Sequence, residues 1–460
     1  MHWRRILGGI AFAVAAGGLA AAAGQPDKIA WTIAITSLTA FWWVSEALPI
    51  PATSLVPFAL FPMAGVLSER AAAAALGNYV IILLMASFML SKALEKSGAH
   101  ERLALYMIRL VGASGRRLVF GFMIASAFIS MWVANTATTL MLTPIALAIL
   151  ARTESRALDA PVLLGVAYAA SIGGVGTLIG TPPNLIFAGV YQQLTGVEYG
   201  FVEWMKTGVP IVLISIPIAA FWLTRNLNTT EKIVLPAPGR WTQPELRTLL
   251  VFAVAIVLWI TRTEPFGGWS ALTGIVKAGD STVAIAAVAA MFLIPDGRRD
   301  AAGKRTALLD WKSANDIPWG MLLLFAGGIC IAAAFEESGL SAVLGSGLTT
   351  AKGLPVFALM LAICLGITFM SELTSNTAIA TLMLPVLAAG AGGTGLPAET
   401  LMVPAAIAAS SGFMLPVSTA PNTIVYATGR VSIARMAREG IALNFIVAVV
   451  IASICWATLR

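Results

Sequence analysis

Two asparagine–threonine pairs are unusual because each lies between strongly apolar flanks. Asn135-Thr136 follows Ala134, and Asn376-Thr377 follows Ser375. Side-chain amides and hydroxyls can bind carboxylate oxygens, and their own oxygens can bind a hard cation. A lone pair of this type more often holds two apolar helices together. The duplication favours a binding site for an anion and a cation.

Two segments broken by glycine and proline lie downstream of these pairs. Segment 176–184 reads Gly-Thr-Leu-Ile-Gly-Thr-Pro-Pro-Asn, and segment 414–422 reads Met-Leu-Pro-Val-Ser-Thr-Ala-Pro-Asn. In hydrocarbon every backbone N–H and C=O needs a partner, so a broken helix is tolerated only where it is buried in protein or lines a cavity. The N-termini of the half-helices attract anions. Corresponding broken segments in two halves of a chain indicate the substrate site of a secondary transporter.

The two halves of the chain repeat these features in the same order. Asn135 and Asn376 differ by 241 positions, and Asn184 and Asn422 differ by 238. The loop at 92–117 is strongly basic, whereas its counterpart at 336–354 is slightly acidic. Basic loops mark the cytoplasmic face of a membrane, so we expect the two repeats to have inverted orientations.

Composition indicates which elements must position these residues. The chain has 460 residues, 58% hydrophobic and 11% charged, with a mean hydropathy of +0.87. A soluble domain usually carries about 25% charged residues. We therefore predict an all-α polytopic membrane protein with room for about ten to twelve spans of about 20 residues. The apolar stretches are 6–23, 30–47, 54–67, 79–95, 118–133, 136–151, 161–190, 208–224, 248–262, 281–295, 318–335, 355–373, 377–390, 401–428 and 439–458.

Two pairs of short stretches, 118–133 with 136–151 and 355–373 with 377–390, are predicted to be re-entrant hairpins with the Asn-Thr pairs at their tips. The chain then divides into five regions, which comprise scaffold helices, two repeat cores that each contain a hairpin and a broken helix, and a final helix. These regions are 1–78 (scaffold), 79–207 (first core), 208–317 (scaffold and cytoplasmic loops), 318–438 (second core) and 439–460 (final helix).

Other functional classes find little support in the sequence. The three cysteines lie inside apolar runs without metal-binding spacing, and the two histidines lie at the N-terminus and in a basic loop. Ser410 and Ser411 suggest a nucleophile, but no His or Lys lies in a span to act as its base, so we expect no enzyme. The net charge of +7 comes from short loops between spans, which fits cytoplasmic faces better than nucleic acid.

Two acidic residues lie within or beside the predicted spans. Glu372 falls in the second hairpin, where a carboxylate is a functional candidate. Its counterpart in the first repeat is Met131, so we favour packing or capping of the hairpin over proton coupling, which stays the alternative. Glu46 lies at the end of a span and is expected to be structural.

The paired tips resemble the Ser-Asn-Thr motifs of the divalent anion/sodium symporter family, the INDY-type di- and tricarboxylate transporters. Segments 176–184 and 414–422 resemble the two broken helices of that family, and the resemblance covers nearly the whole chain. It implies about eleven transmembrane helices with two hairpins. It further implies a homodimer in which a transport half moves against a scaffold half, as in an elevator.

The resemblance also implies individual ligands. The first sodium site would contain Ser130, Ala134, Asn135 and Gly180. The second would contain Ser371, Thr374, Ser375, Asn376 and Ser418. The substrate would contact Asn135, Thr136, Ser375, Asn376, Thr377 and Thr419, with Thr181 as the pseudo-symmetric candidate. Ala134 stands where the family usually has Ser, so a contact through the backbone carbonyl would survive and a hydroxyl contact would be lost.

The two tips also predict a substrate class. Two donor clusters suit a molecule with an anionic group at each end, such as succinate, malate or fumarate. Sulfate would leave buried donors unpaired, at about 1–3 kcal/mol each, and citrate finds no basic residue at the tips for a third carboxylate. Because the tips and broken spans carry no Lys or Arg, co-transported Na⁺ is expected to compensate the charge of the dianion.

The expected function is therefore sodium-coupled symport of C4-dicarboxylates across the cytoplasmic membrane. A dicarboxylate exchanger, or a permease of the same fold for sulfate or another oxyanion, is the alternative.

The charges of the N-terminus and the loops predict how the chain is oriented. Arg4 and Arg5 place the N-terminus in the cytoplasm. The apolar run that ends near Ala23 resembles a signal peptide, but a retained first span fits this orientation. The loops predicted to be cytoplasmic are 92–117, 225–247, 296–316 and 429–438.

An odd number of crossings then places the C-terminal Arg460 outside the cytoplasm. We expect a phosphatase fused after Arg460 to be active and a fluorescent protein at the same position to be dark, since the first folds outside and the second inside. The reverse pattern, with fusions in the 225–247 loop as cytoplasmic controls, would show that the predicted crossings are miscounted.

Overall fold

The computed structural model describes residues 3–112, 114–153, 156–227, 235, 237–264, 266–299, 303–347 and 353–459. Arg460 and part of the 225–247 loop, on which the predicted orientation partly rests, lie outside the described residues.

The described residues form α-helices, one short 3₁₀ helix and one small antiparallel hairpin. The helices are α1 (Trp3–Ala22), α2 (Asp27–Ser45), α3 (Ile50–Thr53), α4 (Val56–Met63), α5 (Glu69–Leu76), α6 (Tyr79–Ser97), α7 (Ala99–Val111), α8 (Gly115–Ser130), α9 (Asn135–Leu150), the 3₁₀ helix (Arg156–Leu158), α10 (Asp159–Gly174), α11 (Pro182–Thr195), α12 (Phe201–Thr224), α13 (Gln243–Ile260), α14 (Gly268–Thr273), α15 (Asp280–Leu293), α16 (Trp311–Asn315), α17 (Trp319–Ser338), α18 (Leu340–Gly347), α19 (Val356–Leu373), α20 (Asn376–Thr394), α21 (Ala398–Ala409), α22 (Ala420–Ala427) and α23 (Ile433–Thr458). The strands are β1 (Pro295–Arg299) and β2 (Arg305–Ala307).

Within the described residues, nine helical segments are long and apolar enough to cross a membrane, and shorter apolar helices accompany them. The prediction of an all-α polytopic membrane protein is confirmed. The predicted breaks also lie where the sequence places them. The 161–190 stretch divides into α10 and α11, and the 401–428 stretch divides into α21 and α22.

Three local features differ from the prediction. The 54–67 stretch is not one span, because it contains prolines and forms only the short helix α4, which follows the equally short α3. The 92–117 loop contains α7, an amphipathic helix that buries Ala104 and Ile108 and exposes Leu110. The 296–316 loop contains most of the β1–β2 hairpin, a small exception to the all-α class.

The two hairpins and the two broken helices interlock. The first half of each broken helix packs against the hairpin of its own repeat, α10 against α8 and α9, and α21 against α19 and α20. The second halves pack across the repeats, α11 against α20 and α22 against α9. Every residue of α10 except Ala160 is buried, so the interlocked bundle forms the centre of the core.

Close approaches in this bundle depend on glycine. Gly440 of α23 lies directly against the unwound segment before α22, and a Cβ there would overlap the Phe413 carbonyl and lie 2.7 Å from Met414 Cα. Gly366 of α19 has nothing within 4 Å of the same ideal Cβ position. The two glycines therefore form a matched pair for a test of packing.

We expect Gly440→Leu to destabilise the protein, because the added side chain must displace backbone rather than a flexible side chain. Overpacking of this kind costs about 1–3 kcal/mol or more. Thermal unfolding of detergent-purified protein, followed by size-exclusion chromatography, should show a clearly lower midpoint for Gly440→Leu and an almost unchanged midpoint for Gly366→Leu. Equal midpoints for the two variants would contradict this packing.

Candidate functional site

A cavity of about 1000 Å³ lies where the two hairpins and the two broken helices meet. Its wall contains residues of both repeats. Every residue predicted as a substrate ligand lines it, namely Asn135, Thr136, Thr181, Ser375, Asn376, Thr377 and Thr419. The fold thus brings the two Asn-Thr tips and the two Thr-x-Pro-Asn motifs to one site.

Four helices begin at the wall of this cavity. α9 begins at Asn135, α11 at Pro182, α20 at Asn376 and α22 at Ala420, and all four residues line the cavity. The dipole of a helix places about half a positive charge at this end. At α9 and α20 the first N–H groups also have no partner within the helix, whereas prolines at the starts of α11 and α22 leave fewer N–H groups there. Backbone groups alone therefore create an environment that favours an anion.

The Asn135 side chain lies in a cluster of oxygen atoms below the first tip. Its amide faces the Ser130 hydroxyl at 2.6 Å and the carbonyl oxygens of Gly180 and Ala170 at 3.2 and 3.3 Å. With its nitrogen turned toward them, the amide donates to these oxygens. With its oxygen turned toward them, the same atoms form the all-oxygen donor set that a hard cation prefers.

This cluster fits a sodium ion, and it contains Ser130, Asn135 and Gly180 of the implied first sodium site. The fourth implied residue, Ala134, lines the cavity, and its carbonyl accepts a hydrogen bond from Thr138 N at 3.0 Å. One lone pair of that carbonyl is still available for a cation. Ala170 was not predicted from the sequence, because it contributes through its backbone carbonyl.

Glycine allows the first unwound segment to close around this cluster. A Cβ on Gly174 would lie 2.5 Å from Asn135 Oδ1 and 3.1 Å from the Gly180 carbonyl. A Cβ on Gly180 would in turn overlap the Gly174 carbonyl. The positions of Gly174 and Gly180 are therefore fixed by close backbone packing next to the Asn135 amide.

Asn184 and Asn422 hold the two unwound segments in equivalent ways. Asn184 Nδ2 donates to the carbonyls of Gly174 and Thr177 at 3.0 and 2.8 Å. Asn422 Nδ2 donates to the carbonyls of Gly412 and Leu415 at 3.3 and 3.1 Å. In the sequence these asparagines served only as markers of the repeat, and the repeated Thr-x-Pro-Asn motif was the signal that could have assigned them this positioning role.

The second tip contains a buried side-chain oxygen atom that could accept a hydrogen bond or bind a cation. Asn376 Oδ1 is buried and has no hydrogen-bond partner within the described part of the chain. Ser418 Oγ donates to the Leu415 carbonyl at 2.9 Å and accepts from Asn422 Nδ2 at 3.0 Å. An unpaired buried acceptor costs about 1–3 kcal/mol, which a bound cation or donor would remove. These residues therefore also fit a cation.

The remaining residues of the implied second sodium site differ in their placement. Ser371 is fully buried, and its hydroxyl donates to the Thr368 carbonyl at 2.9 Å. The Thr374 hydroxyl donates to the Met370 carbonyl at 3.1 Å in the same hairpin helix. The Ser375 hydroxyl oxygen caps α20 by accepting from Ala378 N at 3.5 Å. The structure thus directs the Thr374 hydroxyl back toward its own helix.

The two threonines at the starts of α11 and α22 also differ. Thr419 Oγ1 caps its helix by accepting from Asn422 N at 3.2 Å. Thr181 makes no such cap, and its hydroxyl lies 3.3 Å from the Ser410 hydroxyl of the other repeat. Ser410, which suggested a nucleophile in the sequence, is therefore part of the contact between the repeats.

Glu372 lies behind the second tip rather than on the cavity wall. It accepts hydrogen bonds from backbone N–H groups of the unwound segment and from the Asn444 amide of α23. The hydrogen bonds of Glu372 thus go to the unwound segment rather than to the hairpin that we expected it to pack or cap. Asn444 was not identified from the sequence, because nothing near it in the chain distinguishes it from other polar residues in a span.

Charged residues mark one end of the cavity. Lys92 lines it and lies 3.1 Å from Asp316 and 3.2 Å from Glu95. Nearby, the Lys96 ammonium lies 2.6 Å from the Asp310 carboxylate and lowers the pKa of that carboxyl to about 2. The Lys92 ammonium that reaches the cavity is therefore paired with two carboxylates.

Within the described residues, no group of three or more His, Cys, Asp or Glu side chains could hold a metal ion. The candidate cation ligands are instead neutral hydroxyl, amide and carbonyl oxygens.

Comparisons with known proteins agree with this architecture. Residues 40–402 match the family model described as "Citrate transporter". The chain is 37% identical to a sodium-dependent dicarboxylate transporter, SdcS, of Staphylococcus saprophyticus, over 93% of this chain and 86% of that protein. It is 36% identical to the protein of the same name from Staphylococcus aureus, over 93% of this chain and 85% of that protein.

Two solved transporter structures share the fold. The Alcanivorax borkumensis YdaH transporter superposes with a TM-score of 0.55 at 16% identity and covers 81% of this chain and 84% of its own. The Neisseria gonorrhoeae MtrF structure superposes with a TM-score of 0.58 at 14% identity and covers 91% of this chain and 96% of its own. With a family match over most of its length and relatives above one-third identity, the chain belongs to the divalent anion/sodium symporter family of carboxylate transporters.

Proposed function

We propose that this protein is a secondary transporter that moves C4-dicarboxylates together with Na⁺ across the cytoplasmic membrane. The observation that carries the proposal is the cavity into which two Asn-Thr tips and four helix N-termini converge. The relatives at 36–37% identity are named for sodium-dependent dicarboxylate transport. The site of this chain supports the same activity on physical grounds.

The donor groups suit an anion with two charged ends. Asn135 and Thr136 face the cavity from one hairpin, and Asn376 and Thr377 face it from the other. Each pair offers an amide and a hydroxyl, and each adjoins the unpaired N–H groups of a helix start. A short dicarboxylate can place one carboxylate at each pair, whereas one compact oxyanion would leave donors unsatisfied.

Citrate fits the tips less well, although the matching family model is described as a citrate transporter. The tips carry no basic residue for a third carboxylate. Lys92 reaches the cavity, but its ammonium already has Asp316 and Glu95 as partners. We therefore infer a preference for dicarboxylates over tricarboxylates.

Sodium coupling follows from the charge of the site. A dicarboxylate brings two full negative charges, whereas a helix N-terminus supplies only a partial positive charge whose effect falls off within the first turn. The oxygen clusters at Asn135 and Asn376 can take up cations directly behind the tips. A bound Na⁺ would also order each tip before the substrate arrives, so we infer that Na⁺ binds first.

The two tips should hold the substrate unequally. Ser375 keeps a hydroxyl at the start of α20, whereas Ala134 leaves the start of α9 without a side-chain cap. A cap contributes about 0.5–2 kcal/mol to the order of a helix start. The second tip is therefore the better ordered of the two and should bind its carboxylate more tightly.

Movement as an elevator is part of the proposal. The interlocked bundle also includes α12 and α23, while α1–α6, α13, α15 and α17 pack mainly with one another. The two groups of helices meet at close contacts that contain glycine. Gly189 of α11 lies against Ile329 of α17, and Gly328 of α17 lies against Thr381 of α20. The bundle would slide along α17 and carry the site, and we expect the second group to be the scaffold of a homodimer.

The cavity indicates which side is accessible in this conformation. Its charged end contains Lys92, Glu95 and Asp316, which belong to the loops predicted to be cytoplasmic. With that orientation, the conformation is inward-facing, with the N-terminus in the cytoplasm and the C-terminus outside.

Substitutions at the tips should test the substrate site. We expect Asn135→Ala, Asn376→Ala and Thr377→Ala each to weaken uptake of labelled succinate into proteoliposomes by about tenfold or more, because each removes hydrogen bonds to a charged group worth about 1.5–3 kcal/mol. Ala134→Ser should be tolerated, with an apparent affinity equal to or higher than that of the original protein.

Asn315→Ala is the matched control, because Asn315 is exposed at the end of α16 and does not line the cavity. Wild-type uptake kinetics in purified Asn376→Ala would show that the site is wrongly assigned. Good uptake of sulfate with none of succinate would leave the site in place but overturn the substrate class.

Ion replacement should test the coupling. We expect uptake of succinate to fall to background when choline replaces Na⁺, because the dianion then lacks its charge compensation. Purified protein should also unfold at a higher temperature in Na⁺ than in choline at equal ionic strength. Unchanged uptake in choline would favour a proton-coupled transporter or an exchanger.

A further inference from the structure

Glu372 is the most heavily hydrogen-bonded side chain of the second repeat. Its Oε1 accepts from the backbone N–H groups of Phe413 and Met414 at 2.7 and 2.8 Å and from Asn444 Nδ2 at 2.7 Å. Its Oε2 accepts from Leu415 N at 3.0 Å. Glu372 is only 2% exposed. All four partners are donors, which is the set that a negatively charged carboxylate requires.

The first repeat pairs the corresponding backbone N–H groups in a different way. The residues equivalent to Phe413 and Met414 are Val175 and Gly176, whose N–H groups donate to Ile172 and Gly173 carbonyls within a local turn. The residue equivalent to Glu372 is the uncharged Met131. The two broken helices are therefore not electrostatically equivalent, because one of them contains a buried negative charge.

This charge lies beside the implied second cation site. Glu372 follows Ser371 in the chain, and the segment that it holds leads directly to Ser418. An ideal Cβ on Gly412 would lie 3.3 Å from Ser418 Oγ and 3.5 Å from Glu372 Oε1, so one methyl group would touch both oxygens. The two oxygens therefore lie within about 7 Å of each other, and a cation bound at Ser418 would be attracted by the carboxylate where water is excluded.

We propose that Glu372 is a positioning residue that makes the second cation site the stronger of the two and the first to be occupied. It holds the 413–415 backbone so that Ser418 and the neighbouring carbonyls face the site, and its charge attracts the cation without contacting it. Asn444 supports Glu372 from α23. Neither residue lines the cavity, so substrate contact is not part of this role. The inference rests on the sodium-coupled function proposed above.

Glu372→Gln separates charge from shape. Glutamine can keep the three hydrogen bonds to Oε1 and loses only the bond from Leu415 N together with the charge. Asn444→Ala does the reverse, since it keeps the charge and removes one donor to Glu372 and one acceptor of Phe413 N. Glu46→Gln is the control for loss of a carboxylate elsewhere, because Glu46 is exposed at the end of α2.

The measured quantity is the Na⁺ concentration that gives half of the maximal rise in the unfolding temperature of purified protein without substrate. Choline replaces the missing Na⁺, so that the ionic strength stays constant. We expect Glu372→Gln to raise this concentration by about tenfold or more, because a nearby buried charge is worth at least that factor. Asn444→Ala should lower the unfolding temperature and change the Na⁺ midpoint by less than about threefold, the effect of one neutral hydrogen bond. Half-saturation of succinate uptake by Na⁺ should shift in parallel.

A Glu372→Gln protein that is folded and has the wild-type Na⁺ midpoint would overturn the proposal. If this variant does not fold, Glu372→Asp decides, since it keeps the charge. The proposal then requires a Na⁺ midpoint close to that of the wild type even where the unfolding temperature falls, and a midpoint raised as much as about tenfold would contradict it. A wild-type protein without any Na⁺ response would instead overturn the sodium-coupled function, and this inference with it.

Discussion

The architecture depends on how the protein pairs the backbone groups that two helix breaks release inside an apolar bundle. Each break frees N–H and C=O groups that hydrocarbon cannot satisfy. Asn184 donates to carbonyls of the first unwound segment, and Asn422 donates to carbonyls of the second. Glu372 accepts hydrogen bonds from three N–H groups of the second unwound segment. With these groups fixed, the starts of α11 and α22 point their positive dipole ends at the cavity, although prolines at both starts leave few free N–H groups there. The side chains that repair the breaks therefore determine which backbone groups the cavity presents.

The second constraint is charge. A site for a dianion could use arginine, but permanent positive charge would also hold an anion when no cation is bound. Helix N-termini and neutral amides give a weaker attraction that is incomplete until cations join it. In the proposed sites the cations lie close to the tips, so cation and anion would stabilise each other at short range in a region of low dielectric constant. Such mutual dependence is the physical basis of tight coupling, since either ion alone remains poorly compensated.

Local pattern in the sequence was sufficient to predict the repeats and the helix breaks, and the family resemblance supplied the seven substrate-ligand candidates, all of which line the cavity. These features depend on glycine, proline and polar residues in apolar surroundings, which can be recognised within a short window. The amphipathic α7 and the β1–β2 hairpin were missed because both lie in polar loops without span-length hydropathy. The partners of Glu372 were missed for another reason. Asn444 lies 72 positions away and Phe413 lies 41 positions away, so only the packing of α23 and α21 brings them together.

The interlocked packing also limits how the site can move. Since α11 packs on α20 and α22 packs on α9, a shift of one hairpin displaces the broken helix of the other repeat. Opening one tip alone would separate these pairs and break the contact between Thr181 and Ser410. A rigid movement of both tips and both broken helices keeps all of these contacts and the cation clusters that depend on them. The lower cost of moving the bundle as one body, against a scaffold contact built on Gly189 and Gly328, is the structural reason to favour an elevator over separate gates.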